Sequence, residues 1–211
     1  MPKQLRADAA RNRDRLRSAA AEVIAERGLD APLEEIARRA QVSIGTLYNH
    51  FPSRDALLDD VFPARLSALD RLAADALAVA DPWEGFAAYI EGLLRLHAED
   101  QGLSDALARR GPLPPEVAAA CTRGLAHLSE ILARAKESGR LRPDFTLTDL
   151  SALVLALSQF IRDTRTRAPD AWRRHLAFHL DGLRTEAAHD IAVPALPDAE
   201  VSRLFPGAGP A

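Results

Sequence analysis

The stretch from Leu33 to Arg54, LEEIARRAQVSIGTLYNHFPSR, constrains this chain more than any other. Leu33, Ile36, Ala37 and Ala40 recur at the spacing of one face of a short helix. Gln41-Val42-Ser43 interrupts that pattern, and the Ser43 hydroxyl can cap a second helix that opens with Gly45 and Thr46 in its first turn. Pro52 stops the second helix almost at once, because proline lacks an N–H and biases Phe51 away from helical dihedrals. Helix, tight turn, short helix and stop outline a helix-turn-helix. Ile36, Ala37, Val42, Leu47 and Phe51 can supply its small core.

The side chains left over are hydrogen-bonding groups: Ser43, Thr46, Tyr48, Asn49 and His50, with Arg54 beyond. That face suits base edges in a groove and the phosphates beside it. On the residues alone two readings stay open: a DNA-binding regulator, or an all-α binding or enzymatic domain whose helix-turn-helix is incidental.

Charge bears on the choice. The net charge is -3, yet residues 1–17 carry six bases (Lys3, Arg6, Arg11, Arg13, Arg15, Arg17) against Asp8 and Asp14. A basic end beside the motif and an acidic remainder would orient the protein on a polyanion. Arg11 and Arg13 stand at the start of the first helix, within reach of phosphates.

The run IARRAQVSIGTLYNHF, followed by PSRDALL, resembles the TetR family of bacterial transcriptional regulators, as does the preceding LRADAARNRDRLRSAAAEVIAERG. The matched part spans about residues 5 to 60. The resemblance implies that Tyr48, His50, Arg54 and Asn49 touch phosphates while Ser43, Ile44, Gly45 and Thr46 face the bases. Two positions depart from the family pattern. Gln41 stands where the turn usually has Gly, and in a left-handed conformation a non-glycine costs on the order of 1 kcal/mol. Pro32 stands where a capping Ser or Thr is usual, so Asp30 is expected to cap instead.

The first helix is expected to follow six free residues and to end at Gly28, with Leu16, Ala19, Ala20, Val23 and Ile24 on its inner face. After Pro52, Ser53 caps a long apolar register that reaches Val79 and contains Pro63, where a kink or a break is expected. Asp81-Pro82 restarts a helix bearing Trp83, Phe86 and Ile90, and a short helix around Leu103–Arg110 precedes the loop GPLPP (111–115). A long helix covers 116–138. The next, 148–164, has no charged residue between Leu150 and Ile161, as though it had two faces to bury. A last helix spans 171–187, and residues 188–211 read as a loosely held tail.

The expected fold is therefore all-α: a helix-turn-helix domain at 1–52, a helical body at 53–187, and the tail. Family resemblance implies that the body holds a small-molecule effector and that its last two helices, 148–164 and 171–187, form a homodimer. Polar and aromatic groups among the aliphatic stripes make Trp83, Phe86, Tyr89, His97, Cys121, His127, Phe160 and Trp172 the candidate lining residues. No charged cluster stands among them, so an uncharged, largely apolar ligand is expected.

No catalytic constellation, glycine-rich phosphate loop or nucleophile elbow is present. His175 and His179 have the spacing of two metal ligands but no third group, so no metal and no cofactor are expected. The single Cys121 fits a reducing cytoplasm, and no run approaches the roughly 18 apolar residues of a membrane span. The expectation is a cytoplasmic regulator, not an enzyme, whose partners are a double-stranded, palindromic DNA operator, an effector and a second copy of itself, acting as a ligand-released repressor.

Overall fold

A computed structural model describes residues 2–108 and 115–197; the side chains of 2–7, 106–108, 115–118, 120 and 121 lie outside that description. Residues 111–114 of the expected loop and 198–211 of the expected tail also fall outside it. The chain forms two compact units. The first comprises Met1–Arg65 with Glu99–Ala106, and the second Leu66–Ala98 with Leu107–Ala211. These units divide after Arg65, and a short segment from beyond that point, Glu99–Ala106, returns to the first unit.

The first unit contains α1 (Pro2–Arg27), α2 (Leu33–Arg39), α3 (Ile44–His50), the start of α4 (Arg54–Ala78) and most of α6 (Gln101–Ala108). Helix α1 already begins at Pro2, where free residues were expected; proline suits a first helical position because its missing N–H would have no partner there. Leu16, Ala19, Ala20, Val23 and Ile24 are all buried, as their spacing requires. They share this unit's interior with Ile36, Leu47, Phe51, Leu57 and Leu103.

Gly28 ends α1 at φ +84°, a conformation L side chains rarely adopt. It is also crowded: an added Cβ would lie 2.0 Å from Asp105 Oδ2. That same carboxylate accepts the Leu29 N–H at 3.1 Å. Arg65 completes the attachment of α6, donating to Asp100 Oδ2 at 2.5 Å and to the Ala21 carbonyl at 2.8 Å.

Helix α4 is continuous through Pro63, so the expected break does not occur. The proline still cannot donate to the carbonyl one turn back at Asp59. Ser53 caps this helix as its position predicts, accepting the Ala56 N–H at 3.1 Å.

The second unit holds the rest of α4 with α5 (Pro82–Glu99), α7 (Pro115–Glu137), α8 (Leu147–Thr164) and α9 (Ala171–Leu183). Trp83, Phe86, Ile90, Leu132, Phe145 and Trp172 belong to one continuous apolar core. Helix α8 starts one residue earlier than its apolar stripe suggested, because Thr146 and Asp149 form a reciprocal capping box. After α9 a single 3-10 turn covers Thr185–Ala187. The chain there is tied down: the Thr185 N–H donates to Arg140 O and the Arg142 N–H to Leu183 O, both at 3.0 Å. Arg142 also reaches the His189 carbonyl at 2.9 Å, so the expected tail is held at its beginning. No helix among the described residues is long and apolar enough to cross a membrane.

Candidate nucleic-acid interface

Helix α3 has seven residues and buries only Leu47. Its start is built from side chains the sequence marks for the task. Ser43 Oγ accepts the Thr46 N–H at 3.1 Å and lies 2.9 Å from the Thr46 hydroxyl. Pro52 follows the extended C-cap residue Phe51, which is 1% exposed. The turn before α3 contains the one described non-glycine with positive φ, Gln41 at +58°. Its side chain offsets part of that strain by accepting from Arg15 Nη2 at 2.9 Å. Pro32 holds the N-cap of α2 without a side-chain cap, so the position expected for Asp30 lies two residues before the cap.

The outward surface of α3 is open. Ser43, Gly45, Tyr48 and Asn49 are exposed, and Ile44, Thr46 and His50 are half-buried. Gly45 is informative because the fold does not need it. A Cβ there would meet only Ser43 Oγ, at an ordinary 3.8 Å, and its φ is not left-handed. A glycine without a fold requirement, on the face where a partner's backbone would approach, fits close contact with a groove.

The basic residues divide. Arg13 lies with its guanidinium 4.7 Å from the Phe51 ring centre, which places α1 beside the end of α3, and it pairs with Asp60 at 2.5 Å. Arg11 pairs with Asp8 one turn away, and both side chains are more than half exposed. Exposed pairs of this kind are worth little, so phosphates can displace them. Arg54 is different. Its Nη1 donates to the carbonyls of Leu29 at 2.7 Å and Ala31 at 2.8 Å, so this nitrogen, expected at a phosphate, braces the loop before α2. The expectation for Arg54 came from the family resemblance and its place just after the polar helix, neither of which reveals two carbonyls more than twenty residues back.

In the second unit the candidate lining residues separate into two groups. Trp83, Phe86, Tyr89 and Trp172 are at most 4% exposed and are packed as core. Trp83 stands 5.8 Å from Phe86, Phe86 stands edge-on to Phe145 at 6.4 Å, and Arg184 covers the Trp83 face at 4.5 Å. Phe160 is half-buried against His175 at 4.5 Å. The side chain of Cys121 is outside the described residues. Burial and Asp70 push the Tyr89 hydroxyl up to about 12, so it stays protonated.

The polar pair is of another kind. His97 is 5% exposed, its Nδ1 lies 2.8 Å from Ser158 Oγ, and its Nε2 is enclosed without a partner. His127 Nδ1 is likewise enclosed and unpartnered. Burial, then Arg162, lowers the His97 pKa to about 4, so its imidazole is neutral at pH 7. Sequence reading named both histidines as lining candidates but not Ser158, whose signal was a hydroxyl, one of two with Ser151, in the uncharged stretch Leu150–Ile161. Among the described residues no group of three His, Cys, Asp or Glu could hold a metal ion.

Comparison with known proteins places this geometry. A family model described as bacterial regulatory proteins of the tetR family matches residues 16–61. A second, described as the C-terminal domain of SbtR-like transcriptional regulators, matches residues 81–185. The HTH-type transcriptional regulator UidR of Escherichia coli strain K12 is 29% identical over 169 residues, covering 75% of this chain and 83% of UidR. Among solved structures, a TetR transcription regulatory protein from Mycobacterium vanbaalenii is 38% identical with a TM-score of 0.54, covering 85% of this chain and 99% of that one. The TetR transcriptional regulator SCO0520 from Streptomyces coelicolor is 31% identical with a TM-score of 0.55, over 82% of this chain and 98% of that one.

Two expectations follow. Gly45→Ala will leave the stability of the first unit unchanged or raise it by up to about 1 kcal/mol, since alanine is the better helix former. It will nonetheless weaken DNA binding at least about fivefold, a loss of roughly 1 kcal/mol. Hydrogen exchange of the unit's amides and a mobility shift measure the two effects separately, and parallel losses would refute the role. For His97 the sign runs with pH: the unfolded chain, with its ordinary pKa, takes up the proton first. Stability is therefore lost as pH falls from about 6.5 towards about 4, by about 2 kcal/mol on reaching pH 5. Urea unfolding followed by the fluorescence of Trp83 and Trp172 should show this slope in the native protein and lack it in His97→Gln.

Proposed function

The chain belongs to the TetR family of bacterial transcriptional regulators, and from that premise we propose that it is an effector-released repressor which binds a palindromic operator as a homodimer. That it is a DNA-binding regulator follows from the family. The observation that supports the finer reading is the face of α3: one buried leucine, a half-buried isoleucine at its start, and otherwise hydroxyl, amide, phenol and imidazole groups around an unconstrained glycine. In this reading Ser43, Ile44, Gly45 and Thr46 read bases. Tyr48, Asn49 and His50 hold phosphates, with Arg11 and Arg13 at the flank and Arg54 as the brace behind them.

Two recognition helices are needed about 34 Å apart on one face of DNA, which calls for a two-fold dimer. Helix α8 supports such a contact: Ala152, Ala156 and Gln159 are exposed and Leu155 beside them is half-buried, none of them charged, and on α9 Phe178 is 60% exposed. Release by an effector requires unequal binding to the operator-competent and incompetent states. The chain connections available to carry that difference are α4, with Pro63 two residues before the unit boundary, and the two ends of the α6 segment. A coupling of about 1–3 kcal/mol is the usual size. No chemical step is assigned to the protein in this reading.

The test is a mobility shift with the DNA that flanks its own gene. Tyr48→Ala should lower affinity alike for all sequences, by about 1–3 kcal/mol, whereas changes at Ile44 or Thr46 should alter which base is preferred. Equal loss on matched and mismatched sites for all three would overturn the division of roles. Leu155→Glu, which inserts a charge into the proposed interface, should give monomers or insoluble protein. A wild-type protein that light scattering finds monomeric at micromolar concentration would exclude α8 as the dimer surface.

A further inference from the structure

The enclosed ring nitrogens of two histidines in the second unit are not explained by packing. An enclosed polar atom without a partner costs about 1–3 kcal/mol, and this unit retains two such ring nitrogens, His97 Nε2 and His127 Nδ1. His97 is in the last turn of α5 and meets Ser158 of α8 directly. Helix α8 is also in contact with α7, the helix that carries His127. Counted at 1.5 Å per residue, Ser158 is about 16 Å from the start of α8 and His127 about 15 Å from the end of α7, so an antiparallel pairing of the two helices sets them at a similar height. Buried Leu94, Leu128, Leu157 and Ile161 flank the three residues along their helices. The aromatic packing of Trp83, Phe86 and Phe145 lies towards the other end of α5.

We propose, resting on the reading that this unit receives an effector, that His97 Nε2 and His127 Nδ1 form its polar anchor and select an uncharged, otherwise apolar molecule carrying a hydroxyl group. A hydroxyl both donates and accepts, so it can satisfy two imidazole nitrogens of opposite role at once. The Ser158 contact on Nδ1 holds the His97 ring in place, and because the serine hydroxyl can donate or accept, Nε2 can present either role to a guest. A carboxylate is disfavoured: His97 is neutral, and Arg162 is engaged by Gln159 at 2.5 Å.

Three probes with one apolar body test this on the full-length protein: 4-butylphenol, butylbenzene and 4-butylbenzoate. The phenol should bind at least about tenfold more tightly than butylbenzene and shift the nitrogen NMR signals of His97 Nε2 and His127 Nδ1. His97→Phe should abolish that preference while retaining butylbenzene. Since that variant can fail to fold, the shifts in unaltered protein and the half-buried His127→Leu variant give the same answer independently. Equal affinity for phenol and butylbenzene, tightest binding of the benzoate, or no phenol binding at millimolar concentration would overturn the anchor. The mobility shift run beside it separates the failures. A phenol that binds at these nitrogens without loosening DNA leaves a binding site and removes its role as an effector site; a protein that never shifts DNA removes the regulator reading alone.

Discussion

A helix of seven residues is not stable by itself in water, and α3 is such a helix. Most of what the first unit does is compensate for that. Ser43 satisfies an amide of its first turn, Leu47 buries its inner side, Phe51 closes its end, and Arg13 lies over the Phe51 ring. The approach to α3 is strained at Gln41, and Arg15 holds that residue from α1. Because its support comes from behind and from both ends, the helix can leave its outer face polar and open. That division of labour is what permits a short helix to present a polar face to a partner without losing its shape.

The same economy explains the bracing around Gly28. The loop that leads into α2 is gripped on three backbone groups: Arg54 takes the carbonyls of Leu29 and Ala31, and Asp105 takes the Leu29 amide. All three grips come from two charged side chains that could otherwise face solvent. Arg65 and Asp100 add a bridge that is less than one-fifth exposed on either side chain. A charge pair with that much protection is screened far less than the surface pairs along α1. The α6 segment is thus part of the helix-turn-helix unit physically, although two stretches of chain separate it from the motif in sequence.

The second unit poses the opposite problem. Trp83, Phe86 and Phe145 are used up in packing one another, with rings at ordinary contact separations and Arg184 closing the Trp83 face. What remains unsatisfied is polar. A core can tolerate enclosed imidazole nitrogens only where something offsets their cost, and a hydrogen-bonding guest is the most direct offset. Aromatic content pointed sequence reading at Trp83 and Phe86, whereas the structure shifts the interest to His97, His127 and Ser158.

Much of this protein was legible in its residues because the signals were local. Helix periodicity, the caps at Ser43 and Ser53, the stop at Pro52 and the glycine at the end of α1 act within one or two turns, so composition and spacing suffice to place them. The resemblance of residues 5 to 60 to a known family then supplied the face that meets DNA. What sequence left open was decided between residues far apart in the chain. Arg54 reached the carbonyls of Leu29 and Ala31 with one nitrogen, Asp105 reached back across 76 positions to Leu29, and His97 found Ser158 across 61. Continuity of α4 through Pro63 and the hold of Arg142 on His189 were likewise settled by packing. A periodic pattern states which face of a helix is buried; it does not state against what. Only the tertiary structure pairs the faces, and with them decides which polar atoms are satisfied and which are left waiting for a partner.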